Sequence, residues 1–110
     1  MIDIFLADYR NPAHAAALVG LLDAYANDPA GGGTPLTADV KQGLPTALAA
    51  RPQAYSVLAF DDDAPVGLVN CIEGFSTFAC RPLVNVHDEG FAGYQLDPAF
   101  GAAVFLQKKL

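Results

Sequence analysis

Apolar and polar positions alternate at the start of the chain. In "IDIFLADY" (2–9), Ile2, Ile4 and Leu6 take one parity and Asp3, Phe5 and Ala7 the other, the two-residue period of a β-strand. The period then changes. Leu18, Leu21, Leu22 and Tyr25 fall at i, i+3, i+4 and i+7, one apolar stripe of a helix. Asn11 is placed to cap that helix, and Pro12 to fill its first position, where a backbone N–H is not needed. The helix is expected to end near Asn27, before the loop "DPAGGGTPL" (28–36). Thr37 reads as a second N-cap with Asp39 in the first turn, and Val40, Leu44 and Leu48 keep helical spacing to about Ala50. Pro45 is expected to kink this helix or split it in two.

From Ala54 to Asp88 the pattern is that of strands. "YSVLAF" and "PVGLVNCIEGFSTF" flank the acidic turn "DDDA", a hairpin signal. "RPLVNVHD" (81–88) is a third run, with Pro82 tolerable near its start. "AAVFLQKK" (102–109) is expected to form a last strand. No repeat, low-complexity tract or linker interrupts the chain, so residues 1–110 are expected to form a single domain. The predicted order is β-α-α-β-β-β-β. The fold class is α/β (α+β), with a mainly antiparallel, mixed sheet of about five strands and the two N-terminal helices on one side.

Composition narrows the possible roles. Hydrophobic residues make up 53% of the 110, enough for a sizeable core. The net charge is −6, and the six basic residues are scattered apart from Lys108 and Lys109. Neither a nucleic-acid surface nor a polybasic membrane patch is expected, because both need concentrated positive charge. "MIDIFLADYR" lacks the features of a secretory signal, and no segment is long and apolar enough to span a membrane. A cytoplasmic location is therefore expected. Cys71 and Cys80 sit in apolar sequence and read as reduced core residues rather than a disulfide pair.

Several short motifs resolve into structure rather than chemistry. "GGG" (31–33) follows a helix and has no lysine after it, so it reads as an interhelical loop, not a phosphate loop. "GFSTF" (74–78) lacks the last glycine of G-x-S-x-G and lies in a strand, so Ser76 is expected to be structural. In a regular strand His87 and Asp88 point to opposite faces, whereas Asn85 and His87 share one. His14, His87, Cys71 and Cys80 show no metal-ligand spacing, so no metal is expected.

The order of elements, and the stretches "LADYRNPAHAAALVGLLDAYANDPAGGGTPL", "PVGLVNCIEGFSTFACRPLVNVHD" and "GFAGYQLDPAFGAAVFLQKKL", resemble the GNAT N-acetyltransferase superfamily. The resemblance covers nearly the whole chain and rests on the arrangement of segments. It implies acetyl-CoA as cofactor, held by a Gln/Arg-x-x-Gly-x-Gly/Ala loop that follows the fourth strand and opens a helix. Backbone N–H groups at that helix start cradle the pyrophosphate. Here "EGFAGYQLDPAFG" (89–101) follows Asp88 instead, and resembles a segment near the family's C-terminus. A whole βαβ unit takes about 30 residues, and with Gly90, Gly93 and Asp97-Pro98 in these 13 residues no long helix fits. The chain reads as a GNAT domain shortened in its middle.

The resemblance also implies a carboxylate general base in the central strands, which points to Glu73 in "GLVNCIEGF". Buried beside Asn85 or His87, Glu73 would suit proton abstraction from an amine; at a strand edge it would face solvent. The general-acid tyrosine of the family would fall in the missing portion, and Tyr94 does not match its motif. Asn70, Asn85 and His87 are the candidate ligand contacts, with no cofactor-binding residue assigned. The expected function is a non-catalytic, small-molecule-binding or interaction module, with no cofactor. It is expected to act as a homodimer, because a shortened sheet leaves an open strand edge. The alternative is an N-acetyltransferase that moves acetyl from acetyl-CoA to a small amine, with its site completed across the dimer.

Overall fold

A computed structural model of the chain describes residues 1–91. The order is β1 (Ile2–Leu6), α1 (Pro12–Asn27), a single 3-10 turn (Pro29–Gly31), α2 (Ala38–Ala49), β2 (Ala54–Asp61), β3 (Ala64–Ser76) and β4 (Arg81–Phe91). The four strands form one sheet in the order β1-β2-β3-β4, and every neighbouring pair is antiparallel. The sheet therefore has four strands among the described residues rather than about five. The expected strand at 102–109 lies outside them.

Local signals place the helices. Asn11 Oδ1 accepts hydrogen bonds from the N–H groups of Ala13 (2.9 Å) and His14 (3.3 Å), with Pro12 opening α1. Thr37 Oγ1 accepts from Val40 N–H at 3.4 Å and caps α2. Pro45 does not split α2, which runs unbroken from Ala38 to Ala49. An internal proline costs a helix about 3 kcal/mol. Here Leu44 and Leu48, on either side of it, are anchored against the core, which offsets that cost.

Register shows where the core sits. Phe5 stands opposite Leu58, and Leu58 opposite Leu68, so the three share one face of the sheet. Leu18, Leu21 and Leu22 of α1 pack on Leu58 and Leu68, with Phe5, Leu44, Leu48 and Phe60 around them. Both helices therefore cover the same face. Leu18 and Leu58 are wholly buried, each contributing roughly 1.5–3 kcal/mol. On β1 the aliphatic row faces the other way. Ile4 is opposite Ala59 and Leu6 opposite Val57, and Ile2, Ile4 and Leu6 are exposed.

The turns follow sequence more closely than the strand ends do. Asp62 and Asp63 alone join β2 to β3, and Asp62 takes the left-handed conformation, φ 54°. The triple glycine forms an ordered turn in which Gly32 (φ 110°) and Gly33 (φ 74°) are left-handed. Between β3 and β4, Ser76 Oγ accepts the Ala79 N–H at 3.1 Å, so Ser76 is a turn residue. Cys80 lies in that turn, exposed and at φ 53°. It is not the core residue expected; Cys71 is, at 1% exposure. The strand expected to end at Asp88 instead continues to Phe91, because β3 is 13 residues long and keeps presenting ladder partners.

Candidate functional site

The tight turn between β1 and α1 fixes Tyr9. Ala7 N–H donates to the Ser56 carbonyl at 2.8 Å, extending the ladder past β1. Asp8 then closes the turn, accepting Arg10 N–H on Oδ1 at 3.0 Å and Asn11 N–H on its carbonyl at 3.0 Å. Tyr9 is thereby carried over Ser56, with the two hydroxyls 2.8 Å apart.

From Ser56 a line of hydrogen bonds crosses the sheet. Ser56 is opposite Asn70, both are buried, and Ser56 Oγ donates to Asn70 Oδ1 at 2.5 Å. Asn70 Nδ2 donates to Asp88 Oδ2 at 3.4 Å. A serine hydroxyl has one proton, and Ser56 commits it to Asn70. Tyr9 must therefore be the donor to Ser56. The carboxylate only accepts, which fixes the Asn70 amide with its nitrogen toward β4. Every link points the same way, from Tyr9 to Asp88. Burial pushes the Tyr9 hydroxyl above its ordinary pKa.

Asp88 reaches this position through a β-bulge. Val86 pairs with Cys71 and Asp88 with Asn70, which leaves His87 as an extra residue in β4. Simple alternation places His87 on the face of Asn85. The bulge resets the alternation, so Asp88 shares the face of Asn70. Asn85, opposite Ile72, lies on that face as well, two β3 positions further along. A Cβ added to Gly74 would come within 3.3 Å of Asn85 Nδ2 and 3.4 Å of Leu83 Cδ1, so glycine there makes room for both side chains.

The candidate residues thus divide. Asn70 is buried at the centre of the line, Asp88 is half-buried at its end, and Asn85 and His87 are exposed nearby in β4. Glu73 is exposed and stands opposite Val84, on the face turned away from Asn70 and Asn85. Sequence reasoning missed Tyr9 and Ser56. The available signal was Ser56, a polar residue inside the apolar run "AYSVLAF"; Tyr9, between Asp8 and Arg10, carried none. Tyr55 lies on Glu73's face, opposite Cys71; burial and the neighbouring Cys71 thiol push its hydroxyl upward in pKa.

Other polar groups are engaged structurally. His14 Nδ1 accepts the Asp8 N–H at 2.9 Å, and its ring lies 5.0 Å from that of Phe5. A groove of about 470 Å³ between α1 and α2 is lined by Val19, Gly20, Pro45 and the ion pair Asp23–Lys41 (3.4 Å). Asp23 also accepts Leu36 N–H at 2.9 Å, so both of its oxygens are used. Among the described residues, no three His, Cys, Asp or Glu side chains converge on a metal position. Among the same residues, no helix is long and apolar enough to cross a membrane.

The architecture matches solved acetyltransferases. A possible acetyltransferase from Clostridium difficile 630 superposes with a TM-score of 0.72 at 14% identity, covering 94% of this chain and 66% of that one. A GNAT family acetyltransferase from Staphylococcus aureus subsp. aureus USA300_TCH1516 gives 0.66 at 11% identity, covering 96% and 73%. A predicted acetyltransferase from Clostridium acetobutylicum, solved with acetyl-CoA, gives 0.67 at 11% identity, covering 94% and 68%. This chain spans just under two thirds of the first of these proteins. No protein-family model and no curated protein sequence matches it. The fold is GNAT-like: an antiparallel sheet with two helices on one face, as in these acetyltransferases.

Proposed function

We propose that the chain is a small-molecule-binding module on a shortened GNAT-like scaffold, that it does not transfer acetyl groups, and that it acts as a homodimer. The observation that carries the binding reading is the contact of Asn70 with Asp88. A half-buried carboxylate, held by a buried amide and flanked in β4 by His87 and Asn85, suits a small organic cation with further hydrogen-bonding groups. The absence of transfer is inferred from the sequence after β4. "AGYQLDPAFG" (92–101) does not follow the Gln/Arg-x-x-Gly-x-Gly/Ala pattern of a pyrophosphate loop. Dimerisation is inferred from β4, which has β3 as its one strand neighbour among the described residues. Pairing through this edge, or exchange of residues 102–109, would complete the sheet.

Calorimetric titration with acetyl-CoA tests the reading, and no heat of binding is expected. Light scattering at high micromolar concentration is expected to give the mass of two chains; a monodisperse monomer refutes the dimer. The second reading is acetyl transfer to a small amine at a site completed across the dimer, and the likeness to acetyltransferase structures favours it. It requires measurable acetyl-CoA affinity and a loss of turnover in Glu73→Gln.

A further inference from the structure

We infer that Tyr9 is a positioning residue, the outermost donor of a hydrogen-bond line through Ser56 and Asn70 that holds the Asp88 carboxylate toward its ligand. That the carboxylate meets a ligand rests on the function proposed above; the line itself does not.

Three features support a directional device over a chance set of polar contacts. The four residues come from four separate places: the turn before α1, β2, β3 and β4. Ser56 and Asn70 are 1% and 8% exposed, so water does not take over their hydrogen bonds. Proton counting leaves one arrangement, in which Tyr9 gives, Ser56 relays and Asn70 delivers to Asp88 Oδ2. If Ser56 no longer donates, nothing holds Asn70 Oδ1 away from Asp88. The amide is then free to turn its oxygen toward the carboxylate. The Asn70 contact uses Asp88 Oδ2, and in the proposed arrangement Oδ1 is assigned to the ligand.

The test reads the two ends separately on the 110-residue chain. Tyrosine labelled with carbon-13 at Cζ reports the ionisation of Tyr9 without any ligand. In Asn70→Leu the Ser56 proton is released to turn toward the phenolate, so Tyr9 is expected to ionise at lower pH than in the wild type. An unchanged Tyr9 titration overturns the line. Should Asn70→Leu not fold, the wild type decides: the Asn70 Nδ2 protons exchange slowly if the line exists and at the free-amide rate if it does not. Ethylammonium chloride then probes the far end, with Asp88 Cγ as reporter. A saturable shift that weakens about threefold to tenfold in Ser56→Ala is expected, with recovery in Ser56→Thr. Equal affinity in wild type and Ser56→Ala overturns the positioning role. No saturable shift in the wild type, with the Tyr9 result intact, refutes the cation-binding function and leaves the line standing.

Discussion

Asp88, and not His87, faces Asn70 across the β3–β4 ladder. One extra residue in β4 decides which side chain meets the buried amide. Removing His87 should therefore leave Val86 opposite Cys71 and Asp88 opposite Asn70, now in a regular ladder. Deletion of His87 is expected to preserve the Asn70–Asp88 contact, seen as cross-strand nuclear Overhauser effects, and to reduce the local twist. Loss of those effects would mean that the bulge is needed to hold the register.

Ser56 and Asn70 also bear on stability. Ser56→Ala leaves the buried Asn70 oxygen without its donor, and is expected to cost about 1–3 kcal/mol in urea unfolding. Leu18→Ala, which empties the centre of the α1 contact, is expected to cost about 2–5 kcal/mol.

Tyr9 predicts an alkaline limit. Its folded pKa is raised above the ordinary value of 10.0, so the folded state holds the phenol proton more tightly than the unfolded chain does. This stabilisation is complete below pH 10 and is lost as pH rises through the folded value. Tyr9→Phe should unfold with a flatter dependence on pH above 10, measured by thermal melts across that range. An unchanged slope would contradict the assignment.

Two glycines should respond differently to alanine. A Cβ on Gly31 would overlap the Tyr25 carbonyl, a backbone group that cannot step aside. Gly31→Ala is expected to destabilise by about 1–3 kcal/mol. A Cβ on Gly74 meets the ends of the Asn85 and Leu83 side chains, which can move. Gly74→Ala should fold with little loss of stability, while shifting the Asn85 side-chain amide signals in proton–nitrogen spectra.

The parts of the fold that were legible in the sequence are those fixed by neighbouring residues. Asn11 and Thr37 cap helices through contacts two or three residues away, and Asp62-Asp63 turns a hairpin on its own backbone. The parts that were not legible depend on a distant partner. Nothing in "LVNVHD" marks His87 as the extra residue, because a bulge is defined only against the opposing strand. The same holds for β1, whose two parities are both apolar enough to face a core until Phe5 meets Leu58. Within the candidate site, Asn70 and Asn85 were visible as polar positions in apolar runs. Tyr9 was not, because its partner Ser56 is 47 residues away.

The sheet order also sets a sequence of events during folding. β2, β3 and β4 are joined by short turns and can zip together from local contacts. β1 must find Val57 from Leu6, across both helices. Closing that longer loop costs more chain entropy, so the first strand is the natural candidate to dock last. Tyr9 follows immediately after that strand. The hydrogen-bond line would then gain its first donor only at the final step, making ionisation of Tyr9 a spectroscopic marker for completion of the native state.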